Sequence, residues 1–366
     1  MRRTFKYRIY ANKVTIAKAE KWLELCRNLY NCALEERKVA WSHCRKTIFY
    51  NQQQNEMPEI RKLFPEYKDV DSQVLRTPLH RVDLAFRGFF ARIKRGEKPG
   101  YPRFKGKGHF NAFTLEQNGW VLDGRFLSVR NVGRFKMRLS RPIQGRIKSI
   151  DIKRSATDKW YATFNCDFVP QKLLPESDKI IGLDVGIKSF CVDSDGNKVN
   201  NPLYFKRSLR LLRLRNRRMC RRSKLSNRRR NARILAAKVH EKVANQRRDF
   251  LYKLANSYIS KYGTIVVEKL NMNYLEKSKP LARSVFDSSW IQFFQILSCK
   301  AEEAGRIIIK VNPRNTSQNC SRCGQKVEKT LAVRTHSCPF CGLVMDRDEN
   351  AARNILALGQ SVQALT

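Results

Sequence analysis

Four cysteines near the C-terminal end constrain this chain more than any other feature. Cys320-Ser321-Arg322-Cys323 and Cys338-Pro339-Phe340-Cys341 are two Cys-x-x-Cys knuckles separated by fourteen residues, and each is followed by a glycine, Gly324 or Gly342, that suits a tight turn. Four thiolates at this spacing give one Zn²⁺ a closed tetrahedral shell with no open position for substrate, so the metal is expected to be structural. Four unrelated buried thiols are a poor account of such spacing. The other seven of the eleven cysteines (Cys26, Cys32, Cys44, Cys166, Cys191, Cys220, Cys299) follow no pattern and read as small core or surface thiols. An odd count with four in metal spacing fits a reducing compartment better than a disulfide framework. The five histidines include no close pair, which argues against a histidine-rich catalytic zinc site.

Charge narrows the partners. Among 366 residues, 74 are Lys or Arg and 32 are Asp or Glu, a formal net charge of +42. Such a surplus repels itself unless polyanions neutralise it, and acidic residues would serve plain solubility better. Nucleic acid is the leading partner class. With 42% hydrophobic residues the chain is no disordered basic tail. No apolar run approaches the roughly 18 residues needed to cross a membrane. Met1-Arg2-Arg3-Thr4-Phe5-Lys6 leads into alternating residues rather than an apolar stretch, so no secretory signal is expected.

Residues 2–10 alternate and predict a strand, and 14–47 show helical spacing. A second helical pattern covers about 72–93, with Pro78 at a kink or first turn. The basic, glycine-rich stretch 94–107 predicts loop. Short apolar runs broken by Gly, Asn and Asp over 110–169 predict an antiparallel β unit, a small barrel. Residues 170–178 read as linker, and 179–186 as a buried strand. From Lys206 to His240 there are 15 Lys or Arg and no acid, interleaved with leucine and alanine. A solvated helix face is the ordinary reading of a charge run, but cations without acids repel along a helix. A face laid on phosphates removes that penalty.

Three acids sit at element ends. Asp184 ends the strand Gly182-Leu183-Asp184, Glu268 closes the apolar run Ile265-Val266-Val267, and Asp348 stands at the start of a helix within 346–355. Singly these are a turn aspartate, a surface glutamate and a helix-capping aspartate. In order they form a pattern: strand with acid, a hairpin near Ser189–Asp193 and Tyr204, a long helix, strand with acid, a helix near 288–304, a strand at 307–311, and a helix with the third acid. That is the layout of a ribonuclease-H-like nuclease core, which gathers carboxylates around two Mg²⁺ ions. Hard oxygen ligands suit Mg²⁺ and not zinc.

The motifs Gly-Leu-Asp-Val-Gly-Ile-Lys (182–188), Val-Glu-Lys-Leu-Asn (267–271), Asn-Thr-Ser-Gln-Asn-Cys-Ser-Arg-Cys-Gly (315–324), Cys-Pro-Phe-Cys-Gly (338–342) and Asp-Arg-Asp-Glu-Asn-Ala-Ala-Arg-Asn-Ile (346–355) resemble the RuvC and zinc-ribbon motifs of TnpB proteins. These are transposon-encoded, RNA-guided DNA endonucleases taken to be ancestors of type V CRISPR effectors. Trp290, Phe293, Phe294, Leu297, Lys300, Ala301 and Gly305 match the segment before the ribbon, and looser similarity continues upstream at 72–75, 85–90 and 100–105. The resemblance implies Asp184, Glu268 and Asp348 as catalytic, Mg²⁺-binding residues. Asp346 is the rival for the third position, with helix capping as its other role. It implies one structural zinc on Cys320, Cys323, Cys338 and Cys341, a guide RNA from the transposon's right end, double-stranded target DNA, and a prokaryotic cytoplasmic protein associated with the nucleoid.

The expected fold is α+β and multidomain. A wedge-type β-barrel (1–12 and 110–170) carries a helical recognition insertion (13–109). A RuvC-like core (179–316 and 344–358) carries the ribbon (317–343), before a tail at 359–366. Readers of a target-adjacent duplex motif fall, by family correspondence, near Tyr50, Gln54, Ser72, Gln73, Arg76 and Thr114. Arg103, Lys105, Arg210, Arg213, Arg217 and Arg221 are further candidate nucleic-acid contacts. Tyr101, Phe104, Phe110 and Phe113 either stack on unpaired bases or pack in a core. The expected particle is a monomer with one RNA. The rival functions are a guide-RNA-bound DNA-binding regulator that does not cut, a transposase that joins DNA ends, and a miniature type V CRISPR nuclease.

Overall fold

Phe5, Tyr7 and Ile9 alternate with exposed residues along Arg3–Tyr10 (β1), and all three are buried. β1 begins a computed structural model that describes residues 1–270, 279–330 and 333–364, and the backbone alone of 279–283. Asn271 of the second motif, residues 331–332 of the ribbon and residues 365–366 of the tail lie outside the described residues. The chain divides into two units, Met1–Pro170 and Gln171–Thr366.

In the first unit β1 is joined by β2 (Ala112–Leu115), β3 (Trp120–Asp123), β4 (Phe126–Val129), β5 (Gly133–Arg138), β6 (Arg146–Arg154) and β7 (Trp160–Asp167). The strands pair antiparallel in the order β2-β6-β7-β1-β5-β4-β3. Hydrogen bonding leaves β2 and β3 as edges, so the expected barrel is an open sheet. Between β1 and β2 come α1 (Lys13–Cys44), two short helices, α2 (Tyr50–Asn55) and α3 (Met57–Leu63), and α4 (Ser72–Lys94). The side chain of Asn12 caps α1 by accepting from Thr15 N–H at 2.8 Å, and Trp22 of α1 meets Phe113 of β2 edge-on at 5.4 Å. Pro78 lies buried inside α4, which continues through it.

The second unit holds a mixed sheet of β8 (Ile180–Val185), β9 (Ser189–Asp193), β10 (Lys198–Asn200), β11 (Thr264–Glu268) and β12 (Ile307–Val311), in the order β10-β9-β8-β11-β12. β8, β11 and β12 run parallel, whereas β9 and β10 are antiparallel to their neighbours. Its helices are α5 (Tyr204–Cys220), α6 (Asn227–Lys261), α7 (Lys279–Ser288), α8 (Trp290–Ala304) and α9 (Arg347–Gln363). The period of two along β11 sends Ile265 and Val267 to the face covered by α6 and α8, and Val266 to the face covered by α9. Both faces are covered, which is why β8 and β11 are apolar throughout their middles.

Three expectations change. Tyr204 opens α5 instead of closing the hairpin, whose second strand is β10. The acid-free run is two helices with a break at 221–226. Asp287 explains the start of α5: its buried carboxylate accepts from the N–H groups of Phe205 and Lys206, each at 3.1 Å, and pairs with Arg247 of α6 at 2.9 Å. α9 also continues into the segment expected to be a tail, where a Cβ on Gly359 would lie 2.3 Å from a methyl of Val266.

α9 lies close on β8. A Cβ on Gly182 would stand 2.3 Å from the carbonyl oxygen of Ala352 and 2.8 Å from the amide nitrogen of Leu356. Backbone cannot step aside as a flexible side chain does. Gly182→Ala should therefore lower stability by about 1–3 kcal/mol through overpacking, read as a drop in the denaturant midpoint. An unchanged midpoint would mean that α9 does not sit on β8 as described.

Candidate active site and metal centre

Parallel pairing sets Val267 beside Leu183, so the next residues, Glu268 and Asp184, emerge from the same ends of adjacent strands. Asp348 arrives from the first turn of α9, and its Oδ2 is 3.9 Å from where a Cβ on Gly186 would be. Asp184 is partly accessible yet densely walled by protein. Its carboxyl is held well above the usual range by burial first, then by the negative charges of Glu268 and Asp348, with Arg347 partly offsetting them. Glu268 is also pushed up by burial, against a hydrogen bond donated by the Thr316 hydroxyl. The structure thus brings Glu268 and Asp348 each within electrostatic reach of Asp184. Crowded, buried carboxylates want a cation, and an all-oxygen donor set fits Mg²⁺.

Asp346 does something else. It is the N-cap of α9, accepting from Asp348 N–H at 2.8 Å, and Lys198 of β10 holds its other oxygen at 2.6 Å. The Lys198 bond and the capped amides outweigh burial and hold its carboxyl below the ordinary value. Its oxygens are committed to positioning the helix that carries Asp348.

The four cysteine sulfurs lie within 4.8 Å of one another, with Cys320–Cys341 and Cys323–Cys338 each at 3.6 Å. Tetrahedral zinc with Zn–S of about 2.3 Å needs sulfurs about 3.8 Å apart, so the set fits one closed site. Burial opposes ionisation of Cys320, but the N–H groups of Cys323 and Arg322, with His336 and Cys341, bring its thiol down to about 5. The Leu343 N–H favours the Cys341 thiolate, yet burial and the neighbouring sulfurs push that thiol up to about 12. A shared cation would favour the thiolate form of all four. Beyond the sulfurs, buried His336 meets Lys329 through Nδ1.

Two asparagines and a threonine tie this centre to the acids. Asn350 of α9, fully buried, accepts from Ser321 N–H at 2.9 Å and donates to the Asn319 carbonyl at 2.7 Å. Asn354, one turn on, donates to the carbonyls of Thr316 and Asn319, each at 2.8 Å. Sequence reasoning passed over Thr316, Asn350 and Asn354. Their signal was two amides four residues apart on one face of the third-acid helix.

The remaining candidates fall in separate places. Gln54, Ser72 and Arg76 line one cavity of about 440 Å³, with Met57 and Arg61. Tyr50 lies against His80 at 5.8 Å, near enough for the Arg76 charge to act on its hydroxyl. Gln73 takes the capping bond of Asp71 through its N–H, and Thr114 on β2 donates to Asp151 at 2.6 Å. The backbone of Lys105 is pinned to Asn31, while Arg103 is exposed. Arg210, Arg213 and Arg217, all exposed and spaced three or four apart, share one face of α5, and exposed Arg221 is the residue that caps its C-terminal end. Phe110 and Phe113 are core residues, 4% and 0% exposed, whereas Tyr101 and Phe104 remain 44% and 45% exposed.

The fold is similar to that of Cas12 effectors. The chain in a cryo-EM structure of a Cas12f1–sgRNA–target DNA complex superposes with a TM-score of 0.59 at 15% identity, over 94% of this chain and 83% of that one. Family models match residues 290–355 ("Cas12f1-like, TNB domain"), 164–279 ("Probable transposase") and 1–46 ("Helix-turn-helix domain"). Within 1–46 the structure has a strand and one uninterrupted helix. A Streptomyces pristinaespiralis protein named "Putative RNA-guided DNA endonuclease" is 30% identical over all of this chain and 91% of its own length. InsQ of Escherichia coli (strain K12), similarly named, is 27% identical over 98% of this chain and 93% of its own length. The chain belongs to the TnpB family.

The raised Asp184 carboxyl has a consequence for pH. A carboxyl whose folded value exceeds its unfolded value contributes stability that is present at low pH and lost as pH rises through the folded value. Protein freed of added divalent cation should melt higher as pH falls through that value toward the ordinary carboxylate range. Asp184→Asn should raise the melting temperature at neutral pH and flatten this slope in thermal melts. A less stable Asn variant at neutral pH would contradict the crowding.

Proposed function

We propose that this protein is an RNA-guided DNA endonuclease in which a ribonuclease-H-like, RuvC-type site hydrolyses the phosphodiester backbone. The observation that carries the reading is the convergence of Glu268 and Asp348 on Asp184, whose carboxyl is driven toward protonation by burial and then by these two neighbours. The names of the two long relatives support RNA guidance and DNA as substrate.

Asp184, Glu268 and Asp348 would hold two Mg²⁺ ions, which supply an activated water and stabilise the leaving 3′ oxygen. Thr316 fixes the Glu268 carboxylate through its hydrogen bond. Asp346, gripped by Lys198, fixes the first turn of α9 and so the Asp348 backbone. Arg347 offsets part, not all, of the charge pressure on Asp184. The zinc ribbon, 317–343, holds one Zn²⁺ and docks on α9 through Asn350 and Asn354. It brings no open metal position of its own.

Sequence would be read by base pairing with a guide RNA from the transposon's right end, while the protein holds the heteroduplex by shape and phosphate. The β sheet of 1–12 and 110–170 acts as a wedge and the helices of 13–109 as a recognition insertion. The cavity at Gln54, Ser72 and Arg76, with Tyr50, Gln73 and Thr114, would read the target-adjacent duplex. One nuclease site would cut the displaced and paired strands in turn, in a monomer carrying one RNA. No helix among the described residues is long and apolar enough to cross a membrane.

Plasmid cleavage by the protein purified with its guide RNA tests the chemistry. Asp184→Ala should abolish linear product while leaving guide and target binding within about twofold in gel shifts. Residual cutting by that variant would refute the three-acid site, and target binding without cutting by the unmodified protein would favour the regulator. The exposed arginine face of α5 has its own test. Replacing Arg210, Arg213, Arg217 and Arg221 together by alanine should reduce the slope of log affinity against log salt by about 3–4, one phosphate contact per arginine. A slope equal to that of the unmodified protein would remove these arginines from the interface.

A further inference from the structure

The first unit holds a cavity of about 590 Å³, and of its lining residues only Tyr101 has been named above, as a candidate for base stacking. Its walls are aromatic, with Trp41, Phe49, Phe86, Phe89, Phe90 and Tyr101. Trp41, Phe49, Phe90 and Tyr101 are between 44% and 60% exposed, an apolar concentration that scattered surface residues do not produce. The rings are ordered against one another. Phe86 and Phe90 stack at 6.4 Å, and Tyr101 stands edge-on to Phe86 at 5.8 Å and to Phe89 at 5.2 Å.

The floor is polar and incomplete. Arg37, only 7% exposed, donates from Nε to Gln53 at 2.9 Å and from Nη1 to Asp83 at 3.4 Å, but its buried Nη2 has no hydrogen-bond partner. Asp83 also lines the cavity, with Arg87 paired to its other oxygen at 2.7 Å. A buried guanidinium nitrogen left unpaired is costly, so a ligand with a polar edge is called for. The rim is cationic. Lys46 and Arg87 line it, Lys38 sits 5.8 Å from the Tyr101 ring, and Arg45 sits 5.9 Å from the Trp41 ring. A second copy of this face would set cations against cations, and a plain apolar segment would leave Nη2 unpaired. A planar ring with donors and acceptors on its edge, carried on a polyanion, satisfies walls, floor and rim together.

We propose that this cavity takes an unpaired nucleobase of single-stranded RNA, with the ring against the aromatic walls, its polar edge on Arg37 and Asp83, and its phosphates toward Lys46 and Arg87. The proposal rests on the RNA-guided reading, which makes RNA the resident polyanion while target DNA arrives paired. Aromatic stacking of this kind tolerates any base, so the site would hold an RNA segment and not select its sequence.

The test uses full-length protein stripped of nucleic acid. Fluorescence anisotropy compares a labelled single-stranded uridine oligomer, a thymidine oligomer of the same length, and an RNA duplex of that length. In the Phe90→Ala, Tyr101→Ala double variant, affinity for the uridine oligomer should fall about 5- to 100-fold, while duplex affinity stays unchanged. Both rings are exposed, so the fold should survive. Phe90→Trp, which keeps the ring, should retain single-strand affinity and covers the case in which the double variant does not fold. Equal losses on single strand and duplex, no loss on either, or loss of uridine affinity in Phe90→Trp would overturn the proposal. An equal loss on the thymidine oligomer would overturn its assignment to RNA. A dimer in sedimentation that the double variant dissolves would overturn it in favour of self-association. Failure of RNA guidance itself is a separate result, seen as an unmodified protein that does not cut guided plasmid.

Discussion

The second unit is organised by a contact that involves no side chain on one partner. Gly182 lets the backbone of α9 rest against the middle of β8, with the Ala352 carbonyl where a Cβ would have been. That approach fixes the height of α9 above the sheet. Because Asp348 is in the first turn of α9 and Asp184 is two residues beyond Gly182, it also fixes the depth of one carboxylate relative to another. Capping by Asp346 and its bond to Lys198 orient the same turn from the side. The backbones that carry Asp184 and Asp348 are therefore placed by close packing and helix capping, while Glu268 is held through its bond from Thr316.

That arrangement stores repulsion. Asp184 is half-buried beside two like charges, and the sheet behind it is apolar and densely packed, through Ile181, Leu183, Ile265 and Val267. Stability invested in the core is set against strain in the carboxylate cluster, a balance common where chemistry is done. The zinc centre differs in kind. Its sulfurs are mutually close and closed, and its protein contacts run to the helix of the third acid.

Much of this was legible in the sequence, because the signals were local. Two Cys-x-x-Cys knuckles, an aspartate ending an apolar strand and a basic run without acids need no partner to be recognised. What stayed hidden depends on distant contacts. Nothing local distinguishes Phe113, buried under Trp22, from Phe104, left exposed, until the register of β2 on β6 is known. Asp287 looks like an ordinary helix aspartate, yet it starts α5 some eighty residues earlier. Thr316 and Asn350 belong to motifs quoted for other reasons, and their roles appear only when the ribbon folds back on α9. The break at 221–226 did carry a local signal, Ser226, which caps α6 by accepting from Arg229 N–H, but the surrounding Arg and Lys favour helix and obscured it.

The dependence of α9 on its neighbours has a bearing on how the protein is made. Glu268 and Asp184 are synthesised well before the ribbon, and the ribbon before α9. Until Asn350 and Asn354 emerge and clasp the loop at 316–321, the face of β8 bearing Gly182 has nothing to cover it. The order of translation thus delays completion of the carboxylate cluster until α9 leaves the ribosome, and a nascent chain ending before α9 carries two acids without the third.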